Sequence, residues 1–267
     1  MAPAPRLNRP RANSLLCRRS PAFPVKQRLD EILVLSGLAE NLTKARALIG
    51  AGQVLVNDQL ADKAGSSFVP DIKIQVKPNC LYVSRGGIKL KGALDTFGYD
   101  PTGQICVDIG ASSGGFTDCL LQHGAGRVYA VDVGYGQLDW KLRQDPRVVV
   151  IVRFNARTIS KAQIPKAIDL AVIDSSFISL TKLIPPLLPL FEERVHLIAL
   201  IKPQFELPRE KVPKGGVVID SLLHEEAITK ILRFSEKIGL TSQGVTRSPI
   251  VGPKGNSEFL IYLSKIS

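Results

Sequence analysis

The sequence has little to bind a metal or bridge a chain. Its four cysteines, Cys17, Cys80, Cys106 and Cys119, share no CxxC spacing, and its three histidines, His123, His196 and His224, form no HExxH. No metal site is indicated, and a reducing compartment is expected. Aromatic residues make up only 6% of the chain. The longest uninterrupted aliphatic stretch ends at Ile201 and is far short of the roughly 18 to 20 residues that span a bilayer, which argues against a membrane-spanning or pore-forming role. Acidic residues are missing altogether from residues 1–28, where Arg6, Arg9, Arg11, Arg18, Arg19, Lys26 and Arg28 stand.

With 267 residues, 45% of them hydrophobic and 22% charged, the chain has enough apolar content for a globular core of about 150 to 200 residues plus a small module. Seven of the eleven net positive charges lie in residues 1–28, so the remainder carries 28 − 24 = +4. Pro3, Pro5, Pro10, Pro21 and Pro24 work against a helix there, and residues 1–26 read as a flexible basic arm. Such an arm suits contact with a polyanion or a dispensable extension. It also suits an organelle transit peptide, which is the alternative to a cytoplasmic location.

Residues 27–83 read as short helices followed by short strands. Leu29, Ile32, Leu33 and Leu35 to Leu38 give one helical apolar face; Thr43 opens a second helix with Ala45, Leu48 and Ile49 inward, and Gly50 and Gly52 stop it. Val54 to Val56 lead to an Asn57-Asp58 turn, and Ile72, Ile74 and Val76 alternate as in a half-buried strand. The segment RLDEILVLSGLAENLTKARALIGAGQVLVNDQ resembles the RNA-binding module named after ribosomal protein S-four. That resemblance implies that the second helix, with Lys44 and Arg46, faces RNA phosphates, and it adds Arg28 of the R-L-D start. Thr43-Lys44 replaces the usual serine-arginine pair while keeping a cap and a charge. Contacts of this kind position RNA without reading its sequence and weaken with salt.

From Ser84 to the end, apolar runs recur at Ile105 to Ile109, Val128 to Val133, Val148 to Val152, Leu170 to Ile173 and Val195 to Ile201, with helical stretches between them. Strands alternating with helices predict an α/β, Rossmann-like domain with a parallel sheet buried on both faces. After a helix from His224 to Ile238, the runs Gly244 to Ile250 and Phe259 to Leu263 predict an antiparallel pair at the sheet edge. That finish suits methyltransferases better than dehydrogenases.

The segment VDIGASSGGFTD ends the first of these strands and opens a helix near Thr117. Its glycines let backbone N–H groups approach a ligand, and the helix N-terminus favours a carboxylate or phosphate. Loop shape alone leaves NAD and S-adenosylmethionine open. However, Gly110 and Gly114 are four apart, so G-x-G-x-x-G is missing, and an acid two residues before the first glycine is the methyltransferase form. Asp132 ends the second strand, where a carboxylate can accept both hydroxyls of a ribose. The candidate cofactor residues are Asp108, Gly110, Ala111, Ser112, Gly114, Gly115, Phe116, Asp132, Asn155 and Asp174. Asn155 lies in FNAR, which is read either as an adenine contact or as a plain turn.

The segments YVSRGGIKL, DIGASSGGFTD, YAVDVGYGQL, DLAVIDSSFISL, LIKPQFE, KGGVV and GPKGNSEFL occur in an order that resembles the TlyA branch of RNA ribose methyltransferases, often labelled haemolysin A. The catalytic domain of that branch resembles the FtsJ family. The resemblance implies a class I S-adenosylmethionine-dependent enzyme acting on cytidine in ribosomal RNA, on one or both subunits. It maps a Lys-Asp-Lys-Glu catalytic tetrad onto Lys89, Asp174, Lys202 and Glu258. Lys91 falls outside the shared spacing and reads as an RNA contact, and Arg85 reads as a phosphate contact or a fixing point for the linker.

A ribose 2′-OH is a very weak acid, so its attack on a sulfonium methyl needs a positioned base. A second lysine and burial both favour the neutral form of a lysine, so Lys202 is expected to accept the proton while Lys89 and the carboxylates orient it and the ribose. Phe177, Phe205 and Phe259 adjoin the tetrad, and core packing is expected of them ahead of stacking on a flipped nucleotide. His224, with Glu225 and Glu226, reads as a solvated helix start. Two readings stand beside the enzyme: a catalytically silent RNA-binding or ribosome-assembly factor, against which the intact tetrad argues, and a haemolysin, for which no export signal or apolar span is found.

Overall fold

The computed structural model describes residues 26–69, 72–76 and 81–266. Apart from Lys26, the basic arm expected over residues 1–26 lies outside the described residues, as do Cys17 and Cys80.

The first unit runs β1 (Gln27–Arg28), α1 (Leu29–Leu35), α2 (Leu42–Gly50), β2 (Val54–Val56), β3 (Gln59–Leu60), β4 (Ser67–Phe68) and β5 (Ile74–Val76). Leu29, Leu33, Ala45, Ile49 and Val54 close its own buried core, whereas Leu35 and Leu38, expected on the same apolar face, are exposed because the helix ends at Leu35. The cap of α2 is Asn41 rather than Thr43: its Oδ1 accepts the Lys44 N–H at 2.8 Å, in the usual manner of an asparagine N-cap. Asn57 and Asp58 take φ of 50° and 64°, the left-handed pair that a two-residue turn between β2 and β3 requires.

The second unit runs α3 (Gly86–Phe97), β6 (Ile105–Ile109), α4 (Gly115–Gln122), β7 (Arg127–Val131), α5 (Trp140–Gln144), β8 (Val148–Ile151), β9 (Leu170–Ile173), α6 (Ile184–Leu187), β10 (Arg194–Ile201), α7 (Pro203–Glu206), α8 (Ser221–Lys237), β11 (Thr241–Arg247) and β12 (Phe259–Ile266). The sheet order is β11-β12-β10-β9-β6-β7-β8, with β12 antiparallel to both neighbours and the other neighbours parallel. Side chains alternate across it, so Val107 and Ile109 enter one apolar layer with α6 and α8, while Cys106 enters the other with α3 and α4. Strand order reverses between β6 and β9, the position at which ligands bind in open α/β sheets.

Three boundaries differ from the sequence expectation. Helix α4 begins at Gly115, not near Thr117, because the glycine turn leads straight into it. Strand β11 begins at Thr241 and stops before Pro249, which lacks the N–H that a strand would use. Helix α8 begins at Ser221, capped by Asp220 through the Leu222 N–H at 2.9 Å. His224 is therefore not a solvated helix start: its Nε2 lies 2.8 Å from the Val218 carbonyl and its ring faces Phe259 at 5.4 Å.

Candidate active site

Register brings the tetrad together. The antiparallel pairing of β10 with β12 sets Ile201 opposite Phe259, so the next residue on one strand, Lys202, and the preceding residue on the other, Glu258, meet at one sheet end. Asp174 follows β9 beside them, and Lys89 enters from α3. Lys202 Nζ lies 2.6 Å from Asp174 Oδ1 and donates to Ser176 Oγ at 3.1 Å. Lys89 Nζ lies 2.6 Å from Glu258 Oε2 and 3.9 Å from Asp174 Oδ2. Lys89 and Lys202 are each 7% exposed and Glu258 1%. Two cations and two anions alternate in this cluster, so a nearly buried set of charges is balanced, as such sets must be. The lysines meet through Asp174 rather than directly. Gly252 leaves the room that Glu258 needs, since a Cβ there would overlap its carboxylate.

The glycine loop owes its shape to close packing as well as to any ligand. Gly110 has φ 85°, and a Cβ on it would meet the Asp174 carbonyl oxygen at 2.5 Å. A Cβ on Gly115 would collide with Ser84 and stand 2.9 Å from the Gly87 nitrogen. The loop thus presses against both the residues after β9 and the start of α3, which bear Asp174 and Lys89. Asp108 points inward: it is fully buried, and Thr117 Oγ1 donates to its Oδ2 at 2.7 Å while Oδ1 has no partner. Burial pushes its carboxyl up to about 7, the Thr117 hydroxyl opposes this, and nearby Asp174 and Asp132 reinforce it.

Asp132 is the half-buried counterpart. Its oxygens accept the Ser112 N–H at 2.8 Å and the Gly134 N–H at 2.6 Å. A small recess beside it is lined by Ala111, Ser112, Gly134, Gln137, Leu138, Val150 and Val152. A carboxylate at the rim and aliphatic walls match a nucleoside, with ribose on the acid and base on the apolar side, so the residues present suit a nucleoside cofactor. Phe116 is buried in the core behind the loop. Asn155 caps a turn by accepting the Arg157 N–H at 3.1 Å and Nε at 3.2 Å.

An FtsJ-like methyltransferase model matches residues 82–265, and an S4 domain model matches residues 27–67. Over 240 residues the chain is 42% identical to the 16S/23S rRNA (cytidine-2'-O)-methyltransferase TlyA of Mycobacterium tuberculosis, covering 89% of this chain and 90% of that one. The chain belongs to the TlyA family of FtsJ-like methyltransferases. It is 48% identical over 240 residues to a Bacillus subtilis protein provisionally named rRNA methyltransferase YqxC, covering 89% and 85% of the two chains. A solved structure from Streptococcus thermophilus, provisionally named a hemolysin, superposes with a TM-score of 0.72 at 40% identity, covering 92% of this chain and 90% of that one.

Within this TlyA family member, four of the basic residues expected at RNA, Arg28, Arg46, Arg85 and Lys91, have protein partners. Arg28 and Arg46 both hold the buried Asp30, through Nη2 at 2.9 Å and Nε at 2.8 Å, and the Arg28 hydrogen bond is the first cause that keeps the Asp30 carboxyl well below the usual range. About half of each guanidinium side chain remains exposed, and Lys44 is exposed. Arg85 donates to the Val251 carbonyl at 2.6 Å, on the loop that leads to Glu258. Lys91 pairs with Asp95 on the surface. Phe177 overturns the expectation of core packing: it is 90% exposed with φ 64°, its ring 5.0 Å from Phe205. Phe259 does pack against the core. Sequence reasoning gave no role to Ser176, Gly252, Thr117 and Glu206: the contacts of Ser176 with Lys202 and of Glu206 with Leu180 join distant positions near the DSS and KPQFE runs, whereas Thr117 and Gly252 lie in the segments DIGASSGGFTD and GPKGNSEFL beside their partners.

Proposed function

We propose that this chain transfers a methyl group from S-adenosylmethionine to the 2′-oxygen of a cytidine ribose in ribosomal RNA. In this reading residues 27–83 dock the RNA and residues 84–267 do the chemistry. The observation that carries it is the buried Glu258–Lys89–Asp174–Lys202 cluster, standing at the same sheet edge as the Asp132 recess. Bound S-adenosylmethionine supplies an electrophilic methyl on a sulfonium. Asp108, Gly110, Ala111, Ser112, Gly114, Gly115 and Phe116 would shape its loop, Asp132 would hold its ribose hydroxyls, and Asn155 and Asp174 would border it. Lys202 Nζ, in the neutral amine form that the reaction requires, accepts the 2′-OH proton, and Asp174 at 2.6 Å stabilises the ammonium that results. Lys89 and Glu258 hold Asp174 and the ribose in line.

Arg28, Lys44, Arg46 and Arg85 meet phosphates, each with a charge left partly open to solvent or to a backbone carbonyl. Phe177, exposed beside Ser176, offers its face to a base taken out of its stack. We place this work in the cytoplasm, where ribosomal subunits are substrates. Among the described residues, no helix is long and apolar enough to cross a membrane.

Labelled methyl transfer from S-adenosylmethionine to purified ribosomal subunits tests the reading. Label that survives alkaline hydrolysis, because the blocked 2′-oxygen cannot attack its phosphate, supports it; no incorporation selects the RNA-binding or assembly factor instead. Asp132→Ala is expected to weaken cofactor binding by about 10²-fold or more, since charged hydrogen bonds contribute about 1.5 to 3 kcal/mol each. RNA affinity should stay unchanged. Calorimetry with each ligand separates the two, and equal loss of both would mean that the fold has been damaged.

A further inference from the structure

We propose that Glu206, held by Lys230, is a positioning residue that fixes the loop from Asp174 to Leu180 against Lys202; this rests on the methyl-transfer reading above. Glu206 ends α7, the short helix that starts directly after Lys202, and it is 3% exposed. Its Oε1 accepts the Leu180 N–H at 2.7 Å. Its Oε2 accepts from Ser179 Oγ at 2.5 Å and Lys230 Nζ at 2.9 Å, and Lys230 also donates to the Glu206 carbonyl at 2.5 Å. At the other end of the same segment, Lys202 reaches Asp174 and Ser176. The loop is thus pinned at its start by Lys202 and at its end by Glu206.

Phe177 stands between these pins at φ 64°. A left-handed conformation is unfavourable for an aromatic residue and persists only where surrounding contacts over-determine it. The two pins, with the Phe205 ring, are those contacts. An acceptor oxygen is required at position 206 because Leu180 opens a 3-10 turn whose buried N–H would otherwise be left unpaired. Glu206 touches neither reacting atom; it acts through Ser179 and Leu180 on where Ser176, Phe177 and Asp174 stand. The Asp132 recess lies on the β7 and β8 side and does not depend on it.

Methyl transfer to ribosomal subunits by Glu206→Ala, Glu206→Gln, Phe177→Ala and the double variants tests this. Glu206→Ala should lower kcat on the order of 10²-fold, the scale of a roughly 1 Å misplacement, with cofactor affinity unchanged. Glu206→Gln keeps an acceptor for Leu180 and should recover much of that loss; it also serves if the alanine variant fails to fold. In the Glu206→Ala background Phe177→Ala should cost less than in the wild type, because the ring is already displaced, and in the Glu206→Gln background the cost should lie between the two. Exchange of the Leu180 amide should quicken in Glu206→Ala while amides of residues 110–116 stay protected. Additive effects of Glu206 and Phe177, or unchanged Leu180 exchange, would overturn the role. A wild-type protein that transfers no methyl group would overturn the proposed function first, and the positioning role with it.

Discussion

Lys202→Ala is expected to remove most turnover, by about 10² to 10⁴, while cofactor and RNA still bind. The side chain lies 7% exposed between Asp174 and Ser176, so its loss deletes the proton acceptor without touching the Asp132 recess or the basic face of residues 27–83. Lys202→Arg distinguishes chemistry from charge. Guanidinium keeps the positive charge and can pair with Asp174, but it stays protonated and cannot take the 2′-OH proton. The arginine variant should therefore be nearly as inactive as the alanine variant in single-turnover methyl transfer. Recovery of a large share of activity by Lys202→Arg would sink the general-base assignment and leave Lys202 as a cation that holds oxygen or phosphate.

The second large effect is on stability. Glu258 is 1% exposed and Lys89 7%, and they stand 2.6 Å apart. Removing one partner of a buried pair strands the other charge and typically costs about 3 to 5 kcal/mol. Glu258→Ala should fall near the lower end of that range, because Lys89 keeps Asp174 at 3.9 Å. Replacing both partners, as in Lys89→Met with Glu258→Gln, should restore much of the stability, since no lone charge remains, yet leave the enzyme inactive. Urea unfolding and methyl transfer, measured on the same samples, would show the two properties separating. A Glu258→Ala protein within about 1 kcal/mol of the wild type would mean that the pair is not held as a desolvated unit.

Much of the architecture was legible because burial writes a period into the chain. The all-apolar run at Leu170 to Ile173 and the run at Ile105 to Ile109, apolar but for Asp108, are strands with both faces covered, and they occupy the centre of the sheet. The antiparallel finish was legible from Phe259 to Leu263 and the glycine-rich turn before it, and so were the ends of β7 and β9 that bear Asp132 and Asp174. Spacing could not say which partner a charge takes. Arg46 spends its guanidinium on Asp30 and Arg85 on the Val251 carbonyl, while the Glu206 carboxylate accepts the Leu180 N–H, all pairings set by how separate elements pack. Phe177 carries the same apolar signal as a core residue, and only a left-handed backbone between two pinned ends turns it out to 90% exposure. Local sequence determines which face of an element is apolar, because side-chain direction repeats every 2 or 3.6 residues. The meeting of Lys89, Asp174, Lys202 and Glu258 was decided by strand register and helix packing, which arise only when the whole sheet forms.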